Sequence, residues 1–179
     1  MSEWSPTPLP HNGSSVSAGF HVRYEVRDST YGKGLFALHD IPNGTLLWKY
    51  APGAKGAKDV NVISFKTEDE ARARLHELPS QEARAFWMDH VYMCDGKLNE
   101  ILDDGYYWNH SETPCTGLPP EGEQYCFESS YAVRDIKAGE ELLDDYGLYE
   151  YPEWYNRLCA EFGVKRDFVG VKPAPVRHH

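Results

Sequence analysis

The sequence predicts an irregular, β-rich fold with helical inserts. Short runs alternate between apolar and polar residues, as in Phe20-His21-Val22-Arg23-Tyr24-Glu25-Val26-Arg27. Glycine and proline pairs punctuate these runs at close intervals. Only three segments carry helix signals, and each is short. The 179 residues suit one domain, and a hydrophobic share of 41% is enough to build its core.

Taken in order, residues 1–19 are rich in Ser, Pro and Gly and predict a flexible tail. The body opens with a half-buried strand over 20–27. A turn over Ser29–Gly34 leads to a short strand at Leu35–Leu38. Pro42-Asn43-Gly44 is a tight turn before a strand over Thr45–Tyr50. A Gly/Ala/Lys loop fills 51–61. Thr67 with Glu70 forms a capping box that opens a helix to about Leu78. Pro79-Ser80 resets the chain, and a second helix carries Phe86-Trp87-Met88. Val91–Met93 and Leu98–Ile101 flank Asp95-Gly96 as a hairpin. Residues 116–123 read as loop and Tyr125–Val133 as strand. Ala138-Gly139 is a turn, and a short strand then runs into Tyr146. Pro152 opens a last helix with Trp154, Leu158 and Phe162 on one face and Gly163 as its stop. The last residues read as a second flexible tail.

Charge and composition narrow the function. A net charge of -10 argues against direct contact with nucleic-acid phosphates and suits a basic peptide. Simple solubility explains the same charge. The 12 Tyr, 7 Phe and 5 Trp suit a ring-lined small-molecule cleft. Cys94, Cys115, Cys126 and Cys159 form no CxxC pair, so no metal site and no disulfide framework is predicted, and free buried thiols are expected. No signal peptide and no membrane span are evident. The expected setting is intracellular, in the nucleus or the cytoplasm.

Three segments carry candidate chemistry. Ser29-Thr30-Tyr31-Gly32-Lys33-Gly34 contains a Gly-x-Gly turn, where backbone can approach a ligand, although an ordinary turn has the same composition. It is neither a P-loop nor a dinucleotide fingerprint. Asn109-His110-Ser111 offers an amide that both donates and accepts, suited to the amino-acid end of a cofactor; an Asx turn is the alternative. A Cys115–His110 nucleophilic pair lacks a third, orienting group. Glu140, Glu141, Asp144 and Asp145 read as a solvated acidic turn, and Tyr146 as a core tyrosine or a functional one.

In this order SxxGxG-L-F-A, NHS-x-x-P and A-x-R-D-I-x-x-G-E-E-L-x-x-D-Y-G resemble the signature segments of the SET-domain protein-lysine methyltransferases. The resemblance spans roughly residues 20–165. It implies a mostly-β SET fold: several small sheets around a pseudoknot-like crossing, with a helical insert and a C-terminal helix. The domain would run over 20–147 with its insert near 67–89, a channel-closing segment and helix over 148–168, and a tail over 169–179.

The resemblance also implies S-adenosylmethionine as cofactor, held by Tyr31, Gly32, Lys33, Gly34, Asn109 and His110. Trp154 would pack on the adenine or, equally, anchor its helix. Tyr146 would be catalytic, and Tyr50, Tyr146, Leu148 and Tyr149 would line a lysine channel. Methyl transfer from a sulfonium to an amine needs alignment and a neutral amine, whereas free lysine has a pKa near ~10.4. An apolar channel beside a cation favours the neutral form. The implied partner is a basic, lysine-containing protein or peptide such as a histone tail.

The chain departs from the family pattern at Tyr106, Glu112, Cys115 and Asp144. Asp144 stands where an aromatic ring helps set the number of methyls added. The cysteine-rich zinc site that follows the domain in many members is missing, so Tyr149–Phe162 is expected to close the channel. Two other readings stay open: a SET-like module that binds a partner with weak or no activity, and an enzyme for a non-histone cytosolic protein.

Overall fold

Alternating burial at Phe20, Val22 and Tyr24 leads into β1 (Tyr24–Ser29), which pairs antiparallel with β2 (Gly32–Ala37). The computed structural model describes residues 19–30, 32–51, 61–94, 96–118, 128–149 and 151–164. Outside these residues lie the expected 169–179 tail, the expected 1–19 tail except Gly19, which is buried, Tyr31, most of the 51–61 loop, the start of the expected Tyr125–Val133 strand and the end of the expected 148–168 segment. The ladder closes at Ser29 opposite Gly32, tighter than the Ser29–Gly34 turn expected from sequence. Gly32 makes this possible at φ +105°, a conformation that side chains with a Cβ disfavour. The start of the expected first strand is not part of this ladder. Phe20 bridges to Trp48 instead, and the His21 amide donates to the Leu47 carbonyl.

β3 (Leu46–Lys49) pairs with β9 (Ser129–Ala132), which pairs with β8 (Thr116–Gly117), in an antiparallel sheet of order β3-β9-β8. Residues 116–117 therefore form a strand where loop was expected. Thr116 is fully buried: its hydroxyl donates to the Leu143 carbonyl and accepts from Trp108 Nε1. These distant partners, rather than local propensity, define the strand. Two further strands of two residues each, β7 (Asn109–His110) and β10 (Leu143–Asp144), pair in parallel, with Leu143 opposite Asn109 and Asp144 opposite His110. A fourth sheet has order β4-β6-β5, from β4 (Val62–Phe65), β5 (Val91–Cys94) and β6 (Lys97–Ile101). The expected hairpin joins β5 to β6, with Gly96 at φ +71°.

The chain divides into two compact units, one of residues 1–63 and 100–145, the other of 64–99 and 146–179. The first has a core of Phe20, Val22, Leu35, Ile41, Leu47 and Leu142 with their neighbours. The same unit holds a buried carboxylate. Asp103 accepts hydrogen bonds from the Gly19 amide (3.1 Å), Trp48 Nε1 (3.0 Å), Asn61 Nδ2 (3.0 Å) and the Gly105 amide (2.9 Å). Gly19 is required there, since a Cβ would stand 2.3 Å from Trp48 Nε1.

The second unit holds α1 (Glu68–Glu77), α2 (Gln81–His90) and α3 (Glu153–Glu161). The predicted capping box is present: the Glu70 amide donates to Thr67 Oγ1 and the Thr67 amide to the Glu70 carboxylate, each at 3.2 Å. Ser80 caps α2 with its hydroxyl alone, which accepts from the Ala83 amide at 3.1 Å. Arg72 joins Glu68 on its own helix to Glu161 on α3, and Arg157 returns to Glu68. The buried face of α3 is Tyr155, Leu158 and Cys159. Trp154 and Phe162, expected to define that face, are only half-buried at its edge. The Tyr155 hydroxyl donates to the Met88 carbonyl, so turning Tyr155 inward in place of Trp154 gains a buried bond. Among the described residues no helix is long and apolar enough to cross a membrane.

Replacing Asp103 with alanine strands four donors in a buried site. Asp103→Ala is expected to lower the unfolding free energy by about 3 kcal/mol, measured by urea denaturation.

Candidate cofactor and catalytic residues

Trp108 sets the start of β7. Its ring stacks on Phe20 at 5.4 Å and its Nε1 donates to Thr116 Oγ1 at 3.0 Å. Asn109 follows. Its Nδ2 donates to the Lys33 carbonyl at 3.0 Å and to Glu141 Oε1 at 2.7 Å. Both partners are acceptors only, which fixes which end of the amide is nitrogen. Both amide hydrogens are therefore committed, and Oδ1 is the atom left to meet a ligand. The structure thus joins the Gly32–Gly34 and Asn109 segments, which the sequence singled out separately, through a residue that sequence reasoning assigned to a solvated acidic turn.

The two glycines of the Gly-x-Gly pattern have different tasks. Gly32 is exposed and a Cβ there would meet nothing within 4 Å, leaving open space before the backbone. Gly34 is buried, and a Cβ would stand 2.2 Å from Glu141 Oε1. The room left by its missing side chain is taken by the Glu141 carboxylate. That carboxylate also accepts from Ser29 Oγ, at 2.7 and 2.9 Å to its two oxygens.

His110 is half-buried, with Nδ1 3.9 Å from Asp145 Oδ1, too long for a hydrogen bond. Asp144 is buried at 8% exposure, and its Oδ1 accepts from the Asp145 amide at 2.9 Å. Tyr50 is half-buried against the core, its ring edge-on to Trp48 at 5.7 Å. Cys115 is buried at 1% exposure. Its thiol donates to the Glu141 carbonyl and accepts from the Leu143 amide, and burial pushes its pKa up. A thiol held protonated and out of solvent is a structural group, not the nucleophile of a Cys–His pair. Cys94 and Cys159 are likewise buried.

The remaining candidates lie in the second unit. Tyr146 opens a single 3-10 turn, Tyr146–Leu148. Its ring is edge-on to Tyr149 with centroids 6.5 Å apart, and Tyr149 is edge-on to Tyr92 at 5.5 Å. Leu148 is exposed. Trp154 is half-buried and edge-on to Tyr155 at 6.1 Å. Tyr92 is the aromatic that sequence reasoning passed over. Its one signal was position, a tyrosine on the open side of β5 between buried Val91 and Met93.

The SET-domain family model matches residues 32–147, and the chain belongs to the SET-domain family. It is similar to the histone-lysine N-methyltransferase ASHH3 of Arabidopsis thaliana, 26% identical over 158 residues that cover 83% of this chain and 38% of that protein. The chain thus spans well under half the length of that relative. Among solved structures it resembles an autoinhibited ctPRC2 bound to S-adenosylmethionine, at a TM-score of 0.51 and 22% identity, covering 80% of this chain and 17% of the other. It also resembles the Neurospora SET-domain protein DIM-5, a histone lysine methyltransferase, at a TM-score of 0.50 and 18% identity, covering 75% and 55%. At these identities the likeness is one of fold, and it matches the small sheets and three helices described above.

Two consequences are measurable. Gly34→Ala forces the Glu141 carboxylate from its notch and is expected to cost about 1–3 kcal/mol of stability in denaturant titration. Cys115 is expected to resist alkylation at neutral pH in the folded chain and to react on unfolding, as read by peptide mass spectrometry.

Proposed function

We propose that the chain is an S-adenosylmethionine-dependent protein-lysine N-methyltransferase. The observation that carries this reading is the Asn109 amide, whose nitrogen is held by the Lys33 carbonyl and the Glu141 carboxylate so that its oxygen is left for a ligand, close to the side-chain-free backbone of Gly32. That donor set fits the cofactor. An outward amide oxygen accepts a hydrogen bond from an ammonium group, and the Gly32–Lys33 backbone leaves room for an extended ligand. Tyr31, Gly34 and His110 complete the proposed cofactor face, Gly34 by making room for the carboxylate behind it, and Trp154 is proposed as its adenine-side ring.

The bound cofactor supplies an electrophilic methyl group on a sulfonium. The chain has to orient the lysine amine and keep it neutral. Tyr146 is the proposed catalytic residue, with its hydroxyl accepting an amine N–H so that the nitrogen lone pair is aimed at the methyl carbon. Tyr146, Tyr149, Leu148 and Tyr50 are the proposed channel residues, and Tyr92 joins them through its contact with Tyr149. Apolar ring faces exclude water and lower the lysine pKa, favouring the amine over the ammonium. The net charge of -10 suits a basic protein substrate, and the name of the Arabidopsis relative makes a histone the first substrate to try.

Tyr146→Phe is expected to reduce radiolabelled methyl transfer to a histone mixture or a cell extract by about tenfold or more, with cofactor affinity within about threefold of the parent. Undiminished transfer would remove Tyr146 from the assigned role. Cofactor binding without transfer by the parent chain to any protein in the extract would favour the reading as a partner-binding module.

A further inference from the structure

We infer that Glu141 is a positioning residue that sets which end of the Asn109 amide faces the ligand, and so makes this position select a cationic donor group over an anionic one. The inference rests on the cofactor face proposed above.

A primary amide is nearly symmetric in shape, and rotation by half a turn exchanges oxygen for nitrogen at little steric cost. Something has to choose between the two orientations. The Lys33 carbonyl favours nitrogen inward, but that bond is exposed and water can replace it. Glu141 is different in kind. It is half-buried, its contact with Asn109 Nδ2 is 2.7 Å, and an ionised carboxylate only accepts. A flipped amide would set Oδ1 against Oε1 at that same separation, two oxygens without a proton between them. The carboxylate thus stabilises one orientation and penalises the other.

Its own placement is fixed from three sides. Ser29 Oγ lies within hydrogen-bond reach of both oxygens. The missing Cβ of Gly34 leaves the notch that the carboxylate fills. The backbone on either side is held as well, since the Ala37 amide donates to the Glu140 carbonyl and the Leu142 amide to the Leu35 carbonyl. With the amide nitrogen held in this way, a ligand ammonium finds the Asn109 oxygen as its acceptor. A ligand carboxylate at the same point would meet repulsion.

The test uses the full chain and two readouts. Side-chain amide hydrogen exchange of Asn109 is followed by nitrogen-edited NMR on the free protein, and S-adenosylmethionine binding by calorimetry. Glu141→Gln can still accept from Asn109 with its oxygen while its amide donates to Ser29. It is expected to keep slow Asn109 exchange and affinity within about threefold. Glu141→Ala is expected to speed that exchange about tenfold or more and to weaken binding by a similar factor. In an Asn109→Ala background, Glu141→Ala should weaken binding no further, because its effect passes through the amide.

Unchanged Asn109 exchange in folded Glu141→Ala would overturn the inference, as would a loss of affinity that persists in full in the Asn109→Ala background. If Glu141→Ala does not fold, Glu141→Asp, which withdraws the carboxylate by one methylene, is held to the same outcomes. If the parent chain binds no S-adenosylmethionine, the cofactor reading fails, and the exchange measurement still decides whether Glu141 holds the amide.

Discussion

The parallel pairing of Asn109–His110 with Leu143–Asp144 is the contact on which the first unit's candidate cofactor face depends. Two residues on each side are a slender ladder, and parallel strands need a long connection to meet at all. Side bonds reinforce it. The Leu143 carbonyl accepts from the Cys115 amide and from Thr116 Oγ1, and the Asp144 carbonyl from the Ser111 amide. The Cys115 thiol fills the remaining gap between the Glu141 carbonyl and the Leu143 amide. The segment after Asn109 therefore wraps the segment before Tyr146 and leaves little freedom of register.

That register gives the site its chemistry. Leu142 and Asp144 are buried, whereas Glu141 and Leu143 are half-buried, so the segment alternates. With Leu143 opposite Asn109, the Glu141 side chain two residues earlier reaches the Asn109 amide. A slip of one residue would bury Glu141 and turn Leu142 outward. What reads in sequence as one acidic run is four separate environments. Glu140 pairs with Arg134, Glu141 holds an amide, Asp144 is buried against the next amide, and Asp145 lies near His110.

The parts legible in the sequence are those decided within a few residues. The capping box at Thr67 and Glu70, the β5–β6 hairpin at Gly96, the turns at Gly44 and Gly139, and the stop at Gly163 follow from local backbone and side-chain chemistry. The family and its fold were legible too, through three segments in a fixed order. The rest was not, because distant partners decide it. Thr116–Gly117 is a strand through its contacts with β9 and Leu143, and α3 turns Tyr155 inward to reach Met88. Glu141 could not be read as a hub, since its partners stand 112 and 32 residues away in the chain. The Gly-x-Gly pattern was rightly singled out, but only the structure separates its two glycines, one providing open backbone and the other room for a carboxylate.

Amide hydrogen exchange of the full chain, with and without S-adenosylmethionine, tests the cofactor assignment most directly. Binding at the proposed face is expected to slow exchange at residues 32–34, 109–111 and 141–146 together, because one ladder and one carboxylate join these segments. Slowed exchange confined to other segments, or none at saturating cofactor, would contradict the assignment.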